Sequence, residues 1–183
     1  MPASERILLD DATIRRSLTR IAFEILEKNK GVHDLVLVGI RTRGAFLAER
    51  VAKRIQELES VQVPVFDLDV TAYRDDRLHV VQRPDLMLSD SQRIDGKVVV
   101  LFDDVLYTGR TVRAAMDALM DLGRAQCIQL AVLIDRGHRE LPIRPDFVGK
   151  NVPTSRTESI IVRLDERDGI DQVVIYQRGN SNE

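Results

Sequence analysis

The chain has 183 residues, of which 44% are hydrophobic, and a formal net charge of −2 at pH 7. This length fits one domain with an aliphatic core, because aromatic residues make up 4% of the chain and tryptophan is absent. The net charge gives no overall attraction to nucleic acid or to anionic membranes.

Residues 1–10 lack the basic start and long apolar stretch of a signal peptide, and no apolar run approaches the length of a membrane span. Cys127 is the single cysteine, and its apolar surroundings predict a small core residue. We therefore expect a cytoplasmic protein without membrane association, with one domain over residues 1–183.

Helix and strand patterns alternate through the first half of the chain. Asp10 or Asp11 can cap a first helix that ends at Gly31, with an apolar stripe of Ile14, Leu18, Ile21, Ala22 and Ile25. An apolar strand over 34–40 precedes a polar segment and a second helix, whose predicted inward residues are Phe46, Leu47, Val51, Ile55 and Leu58. Residues 61–71 are predicted to be extended, and the polar residues 73–92 to form a hairpin or mobile loop.

The second half continues this alternation. Residues 97–102 and 127–134 predict strands, 111–122 a helix and 135–145 a polar loop, and strand-like pieces follow at 147–148, 159–164 and 172–176. The order indicates an α/β fold with a doubly wound, mainly parallel sheet flanked by helices, and with the excursion at 73–92 as an antiparallel hairpin or flexible loop. Ligands bind beyond the carboxyl ends of such strands, where three polar segments fall: 41–44, 103–111 and 135–139.

The segment 99–111 is the most informative part of the sequence. Four apolar residues end at Asp103 and Asp104, a loop rich in threonine and glycine follows, and an amphipathic helix then begins. The helix N-terminus suits an anion, whereas two carboxylates repel a bare phosphate and suit Mg²⁺ or sugar hydroxyls. A phosphoribosyl site combines both, with the nucleotide-binding residues Val105, Leu106, Tyr107, Thr108, Gly109, Arg110 and Thr111. In the alternative interpretation the acids only cap the helix, but a cap needs one acid and no such loop.

Three further segments complete the predicted site. Arg41, Thr42, Arg43 and Gly44 offer two guanidinium groups and close backbone approach to a pyrophosphate, with an ordinary solvated loop as the alternative. Arg74, which we assign to the catalytic group with the two acids, begins a segment expected to exclude water from a cationic transition state, unless that segment is a solvated hairpin. Asp135 and Arg136 are predicted on the side where a nucleobase could lie, and the neighbouring His138 is predicted to be a surface histidine.

Over nearly its whole length the chain resembles the PyrR family of pyrimidine-operon attenuators and uracil phosphoribosyltransferases, which have a type I phosphoribosyltransferase fold. The resemblance rests on the phosphoribosyl pyrophosphate (PRPP) motif D-D-V-L-Y-T-G-R-T and on more extended matches at 15–22, 38–44, 73–76, 130–144 and 148–155. It implies transfer of the phosphoribosyl group of PRPP to uracil on the side of Asp135 and Arg136, giving UMP and pyrophosphate, with Mg²⁺ held indirectly by Asp103 and Asp104 through ribose or water.

The resemblance also implies binding of a stem-loop in pyrimidine-operon leader mRNA when UMP or UTP is bound, and a homodimer or larger homo-oligomer. Positions matching the family's RNA face are Thr19, Arg20, Lys28, Arg139, Arg144 and Lys150, and residues 12–30 and 135–157 are both net positive. We expect these basic residues on one face, away from the catalytic pocket.

One departure from the family concerns Phe23, which stands where family members commonly carry histidine. Helical phase places it opposite the apolar stripe, where it stacks on an RNA base, contacts a second copy, or marks an altered RNA surface. Transcription attenuation with transfer, salvage alone, and RNA regulation with vestigial transferase activity are therefore the functions left open. The match over 135–144 disfavours a hypoxanthine enzyme.

Overall fold

The structure is a computed structural model that describes residues 5–74 and 94–177. The helices span Asp11–Asn29 (α1), Arg43–Glu59 (α2), Arg110–Leu122 (α3) and Asp165–Asp168 (α4). The strands span Glu5–Leu9 (β1), Leu35–Ile40 (β2), Val65–Leu68 (β3), Val98–Leu106 (β4), Cys127–Asp135 (β5), Phe147–Asn151 (β6), Glu158–Arg163 (β7) and Gln172–Gln177 (β8). The excursion predicted over 73–92 lies outside the described residues except for Tyr73 and Arg74.

Five strands form a parallel sheet in the order β3-β2-β4-β5-β6. Leu37 and Phe102 point to one face and pack with α1 and α2, whereas Val38 and Leu101 point to the other and pack with α3. Because helices cover both faces, every residue of β2 is buried, as expected for a continuous apolar strand. The predicted doubly wound parallel sheet is confirmed.

A second, antiparallel sheet in the order β1-β8-β7 was not predicted. Residues 5–9 showed no strand pattern, and the strand-like pieces at 159–164 and 172–176 join this small sheet, whereas the piece at 147–148 belongs to β6 of the parallel one. The pairing brings Glu5 opposite Tyr176, from the other end of the chain. The short helix α4 connects β7 to β8.

Local signals explain the ends and the packing of the first two helices. Asp10 is the N-cap of α1, because its Oδ1 accepts the Thr13 N–H at 2.8 Å. Gly44 lets α2 lie directly on β4, since a Cβ there would be 2.4 Å from the Phe102 carbonyl oxygen. None of the described helices is long and apolar enough to cross a bilayer.

Two predicted core residues are instead exposed, and both lie at the ends of elements. Leu58 belongs to the last turn of α2 and is 38% exposed. Cys127 is the first residue of β5 and is also exposed, whereas the strand becomes buried from Gln129 onward. Periodicity predicted which face these residues occupy, but not where the covering layer stops.

Candidate active site

The acid pair lies in the second half of β4, which continues past the predicted end at Phe102 to Leu106. The pairing of β2 with β4 ends at Gly39 and Phe102, whereas β5 runs alongside β4 to Leu106. Asp103 and Asp104 therefore lie at the carboxyl edge of the sheet, where the β2 side of β4 opens. This is the position where doubly wound sheets bind ligands.

Asp103 is 8% exposed and Asp104 is half-buried. Asp103 Oδ1 accepts the Asp104 N–H at 2.9 Å, and Asp104 Oδ1 accepts the Val105 N–H at 2.8 Å. Burial raises the pKa of Asp103 well above its ordinary value, the adjacent Asp104 carboxylate raises it further, and the Arg74 charge acts in the opposite direction. The site thus concentrates negative charge that a cation would stabilise.

The loop after β4 is the segment predicted to form an anion cradle. Gly109 is the N-cap of α3 with φ +93°, a conformation that L-residues with a Cβ rarely adopt. The loop is closed by the Arg110 N–H, which donates to Thr108 Oγ1 at 3.3 Å, and by the Arg113 N–H, which donates to the Gly109 carbonyl at 2.9 Å. A cavity of about 200 Å³ lies against this loop, lined by Arg74, Asp103 and residues 105–112.

A larger cavity of about 630 Å³ adjoins the cradle and shares Arg74, Asp103, Val105 and Thr111 with it. Its remaining lining comes from the segment joining β2 to α2, the segment after β3, β4 and α4: Ile40, Arg41, Thr42, Arg43, Asp69, Val70, Thr71, Asp104 and Arg167. The structure therefore brings the acid pair, the loop over 105–111 and the 41–43 segment together around two adjoining cavities. Gly44 instead lies under α2, against β4.

The two arginines predicted for pyrophosphate have protein partners in this structure. Arg41 Nε donates to Asp67 Oδ2 at 2.6 Å, and its Nη1 lies 3.6 Å from Asp69. Arg43 forms a bidentate ion pair with Asp168 on α4. Both arginines line the large cavity, and the guanidinium of Arg43 also pairs with α4.

The residues predicted on the uracil side support the cradle from the end of β5. Arg136 is buried and donates to Thr154 Oγ1 at 3.1 Å and to the Glu158 carbonyl at 2.8 Å, with its guanidinium carbon 4.1 Å from the centroid of the Tyr107 ring. Asp135 accepts hydrogen bonds from the Gly137 N–H at 3.0 Å and from Arg139 at 2.6 Å. His138, predicted at the surface, is half-buried and hydrogen-bonds the Thr154 carbonyl.

Most of the residues predicted for RNA lie along α1 and the neighbouring edge strand β6. On α1, Arg20 donates to the Gly149 carbonyl of β6 at 2.6 Å and Lys28 contacts Asp146 at 2.7 Å, so this helix lies along the edge strand that carries Lys150. Thr19 and Phe23 line a groove of about 430 Å³ on the same helix. Arg144 is exposed in the loop before β6.

Arg139 departs from this arrangement. Its guanidinium donates to the Tyr107 carbonyl at 3.0 Å and to Asp135, and its Nε donates to the Ile143 carbonyl at 3.0 Å. These contacts tie the 135–143 loop to the phosphate cradle. Arg139 therefore lies closer to the predicted catalytic pocket than the other basic residues, because its loop folds back over the cradle, although Arg139 itself lines neither cavity.

The donor set fits a divalent cation that is held jointly with substrate. Two adjacent carboxylates of a buried strand end are hard oxygen ligands of the kind Mg²⁺ prefers. Within residues 5–74 and 94–177, no three His, Cys, Asp or Glu side chains group as a metal site. The described protein groups therefore offer part of a coordination shell, which suits an ion that arrives with phosphate and ribose oxygens.

Sequence comparison identifies the chain's relatives. The family described as "Phosphoribosyl transferase domain" matches residues 6–167. "Bifunctional protein pyrR" of Enterococcus faecalis is 59% identical over 181 residues, covering 98% of this chain and 99% of that protein. "Bifunctional protein PyrR" of Brevibacillus brevis is 60% identical over 177 residues, covering 95% and 98%.

Solved structures of similar fold include hypoxanthine phosphoribosyltransferases. That of Staphylococcus aureus has a TM-score of 0.70 at 19% identity, covering 97% of this chain and 94% of that chain. That of Trypanosoma cruzi in complex with the product IMP has the same TM-score and identity, covering 96% and 91%. At this identity the likeness shows the fold alone, and the choice of base has to come from elsewhere.

Proposed function

The chain belongs to the PyrR family within the phosphoribosyltransferase domain family, and from that premise we propose that it is a uracil phosphoribosyltransferase that also regulates pyrimidine genes. It converts uracil and PRPP to UMP and pyrophosphate, and with a uridine nucleotide bound it attaches to leader mRNA and controls transcription attenuation. The proposal places the protein in the cytoplasm as a homodimer or larger homo-oligomer.

One observation carries the enzymatic part: the acid pair and the anion cradle face two adjoining cavities that share Asp103 and Thr111. PRPP carries a 5′-phosphate on one end of its ribose and a pyrophosphate on the other, so it requires two anion sites on either side of a sugar site. The cradle at Thr108 to Thr111 suits the 5′-phosphate, and the larger, mostly polar cavity suits the pyrophosphate. Asp103 and Asp104 lie between them, where the ribose hydroxyls belong.

The protein groups assist transfer mainly through placement and charge. N–H groups at the start of α3 bind the 5′-phosphate with the positive end of the helix dipole. The two carboxylates orient the ribose hydroxyls and stabilise positive charge that develops at the anomeric carbon as pyrophosphate leaves. Arg74 lines both cavities, so its charge reaches the phosphate groups and Asp103 alike.

Mg²⁺ is the cofactor that this arrangement fits. When bound, it neutralises charge on PRPP and orients its ribose and pyrophosphate oxygens. In the proposal Asp103 and Asp104 would hold it through ribose or water, with their Oδ1 atoms fixed by backbone N–H groups.

The enzymatic proposal is tested by replacing both acids with asparagine and measuring UMP formation from uracil, PRPP and Mg²⁺. We expect turnover to fall by several orders of magnitude while the circular dichroism spectrum stays native, since the amides retain the hydrogen-bond geometry but not the charge. The matched control is Asp117→Asn together with Asp121→Asn on α3, outside both cavities. Near-native turnover by the folded acid-pair variant would reject the assignment.

A second observation favours the RNA role. Phe23 is 53% exposed in a groove lined by four arginines, among them Arg16 and Arg20, and by Glu24 and Glu27. An exposed ring flanked by guanidinium groups is typical of surfaces that stack a nucleobase and hold the neighbouring phosphates. Arg20, Lys28 and β6 then connect this groove with Lys150 and Arg144 around the sheet edge.

Two arginines of one loop separate the two roles. Arg144→Gln is expected to weaken binding of the organism's own leader RNA in the presence of UMP and to lower the salt dependence, with uracil transfer unchanged. Arg139→Gln is expected to impair transfer, because it removes the hydrogen bonds to Tyr107 and Asp135. If the wild-type protein with UMP bound does not prefer its leader RNA to a scrambled RNA, the regulatory half of the proposal is wrong.

A further inference from the structure

We propose that Arg43 is a positioning residue: its ion pair with Asp168 fixes the β7–β8 connection so that Arg167 faces the large cavity. The inference rests on the proposed function, since it assigns a role in holding PRPP. It also changes the sequence-based assignment of Arg43, which was predicted to contact the pyrophosphate itself.

The contact is bidentate and joins the start of α2 to α4. Arg43 Nη2 donates to Asp168 Oδ1 at 2.9 Å and to Oδ2 at 3.1 Å, while Nε lies 3.3 Å from Oδ2. The two side chains are 27% and 20% exposed, so the pair is shielded from solvent more than an ordinary surface ion pair. Planar fork-to-carboxylate pairing restricts orientation as well as distance.

Asp168 is itself fixed by the backbone of its own segment. Its Oδ2 accepts the Leu164 N–H at 2.8 Å, and its own N–H donates to the Leu164 carbonyl at 2.7 Å. Burial alone would raise the pKa of Asp168, but the Leu164 N–H and the Arg43 guanidinium together hold it below its ordinary value. The carboxylate is therefore charged at neutral pH and available to Arg43.

Arg167 precedes Asp168 and belongs to the large cavity, together with Arg41, Thr42 and the acid pair. Its backbone N–H donates to the Leu164 carbonyl at 3.0 Å, so its main chain is part of the turn that Asp168 anchors. A shift of that turn moves Arg167 relative to the cavity. The small sheet thus contributes a cation to a site built otherwise from the parallel sheet.

A second arginine of α2 keeps the segment folded without Arg43. Arg50 makes bidentate pairs with Glu166, at 2.6 and 2.7 Å, and with Asp171, at 2.7 Å to each oxygen. The Arg50 guanidinium lowers the pKa of both carboxyl groups, and both remain charged at neutral pH. Because these four hydrogen bonds remain, an Arg43 variant is expected to fold with α4 present but less well oriented.

The test is steady-state transfer at varied PRPP, with UMP binding measured by calorimetry, for Arg43→Gln, Asp168→Asn, the double variant, Arg43→Lys and Arg167→Gln. Arg54→Gln is the matched control, since Arg54 is on the same helix and pairs with Glu57 at 2.6 Å, within that helix. Arg43→Gln and Asp168→Asn are each expected to raise the KM for PRPP about 10-fold and to leave UMP affinity within about twofold, as UMP lacks the pyrophosphate.

Positioning predicts that the double variant is no worse than either single variant, that Arg43→Lys recovers part of the loss, and that Arg167→Gln reproduces the KM effect. Three results would overturn it: Arg43→Gln behaving like the Arg54→Gln control, equal loss of PRPP and UMP binding, or a loss in Arg43→Gln that Asp168→Asn does not share. The last would mean that Arg43 contacts PRPP directly. If instead the wild type forms no UMP, the result refutes the proposed function rather than the role of Arg43.

Discussion

Gly109→Ala separates the conformational requirement of the phosphate cradle from its chemistry. Gly109 has φ +93° and ψ −2°, and a Cβ there would meet Ile143 Cδ1 at 3.2 Å and Leu141 Cβ at 3.5 Å. Both neighbours are side-chain atoms that can yield by a few tenths of an ångström. The main penalty is therefore the backbone conformation, which costs a residue with a Cβ about 1–3 kcal/mol.

The loop can relieve that strain by rotating away from φ +93°, and the N–H groups that begin α3 then leave the geometry that binds phosphate. A cost of about 1–3 kcal/mol corresponds to an affinity loss of about 5- to 150-fold. The loss is expected to be the same for UMP and for PRPP, because both carry the 5′-phosphate. If the strain is retained instead, it appears as an equal loss in the free energy of unfolding.

The assay is titration calorimetry with UMP and with PRPP and Mg²⁺, paired with urea unfolding of the free protein. Gly96→Ala is the matched control: Gly96 has φ +68° with nothing within 4 Å of its added Cβ, and it precedes β4 at the opposite end of the sheet. Gly96→Ala is expected to lose stability but no ligand affinity. Unchanged UMP affinity and unchanged stability in Gly109→Ala, or loss of PRPP binding alone, would refute the reasoning.

Three further predictions follow from the site. Since the pKa of Asp103 is higher in the folded than in the unfolded state, the wild type loses stability as pH rises from about 4 through the folded-state pKa. In urea unfolding, Asp103→Asn is therefore expected to stabilise the ligand-free protein at pH 7 but not below about pH 4. A variant that is destabilised at pH 7 would contradict this. Arg41→Gln is expected to raise the KM for PRPP while sparing UMP affinity by calorimetry, and the opposite pattern would place Arg41 at the 5′-phosphate. Arg136→Met removes the Arg136 hydrogen bonds to the Ser155 and Glu158 carbonyls and is expected to cost about 1–3 kcal/mol in unfolding free energy. A neutral result would show that the Tyr107 contact and these hydrogen bonds contribute little.

The parallel sheet and the phosphate cradle could be predicted because their signals are local. The apolar run before Asp103, the glycine before α3 and the stripe of α1 each occupy consecutive residues whose spacing fixes one face or one turn. The same holds for Asp10, whose capping role depends on the residue three positions later. Such features can be predicted because they depend on residues that are close together in the sequence.

The antiparallel sheet and the partners of the arginines could not be predicted in this way. β1 is held by β8, and Arg43 by Asp168, across most of the chain. Arg167 carried no sequence signal of its own, and no local pattern indicates that the turn before it pairs with Arg43. Similarly, a basic loop contained both Arg139 and Arg144, and only its return over the cradle distinguishes a residue that supports the site from one at the surface.

The central claim is most directly tested by the products that the wild-type protein forms from PRPP and Mg²⁺ when it is offered uracil and hypoxanthine together. The account predicts UMP and equimolar pyrophosphate, dependence on Mg²⁺, and little or no IMP. Formation of IMP in preference to UMP would contradict the choice of base, and release of no pyrophosphate with either base would contradict the transferase assignment as a whole.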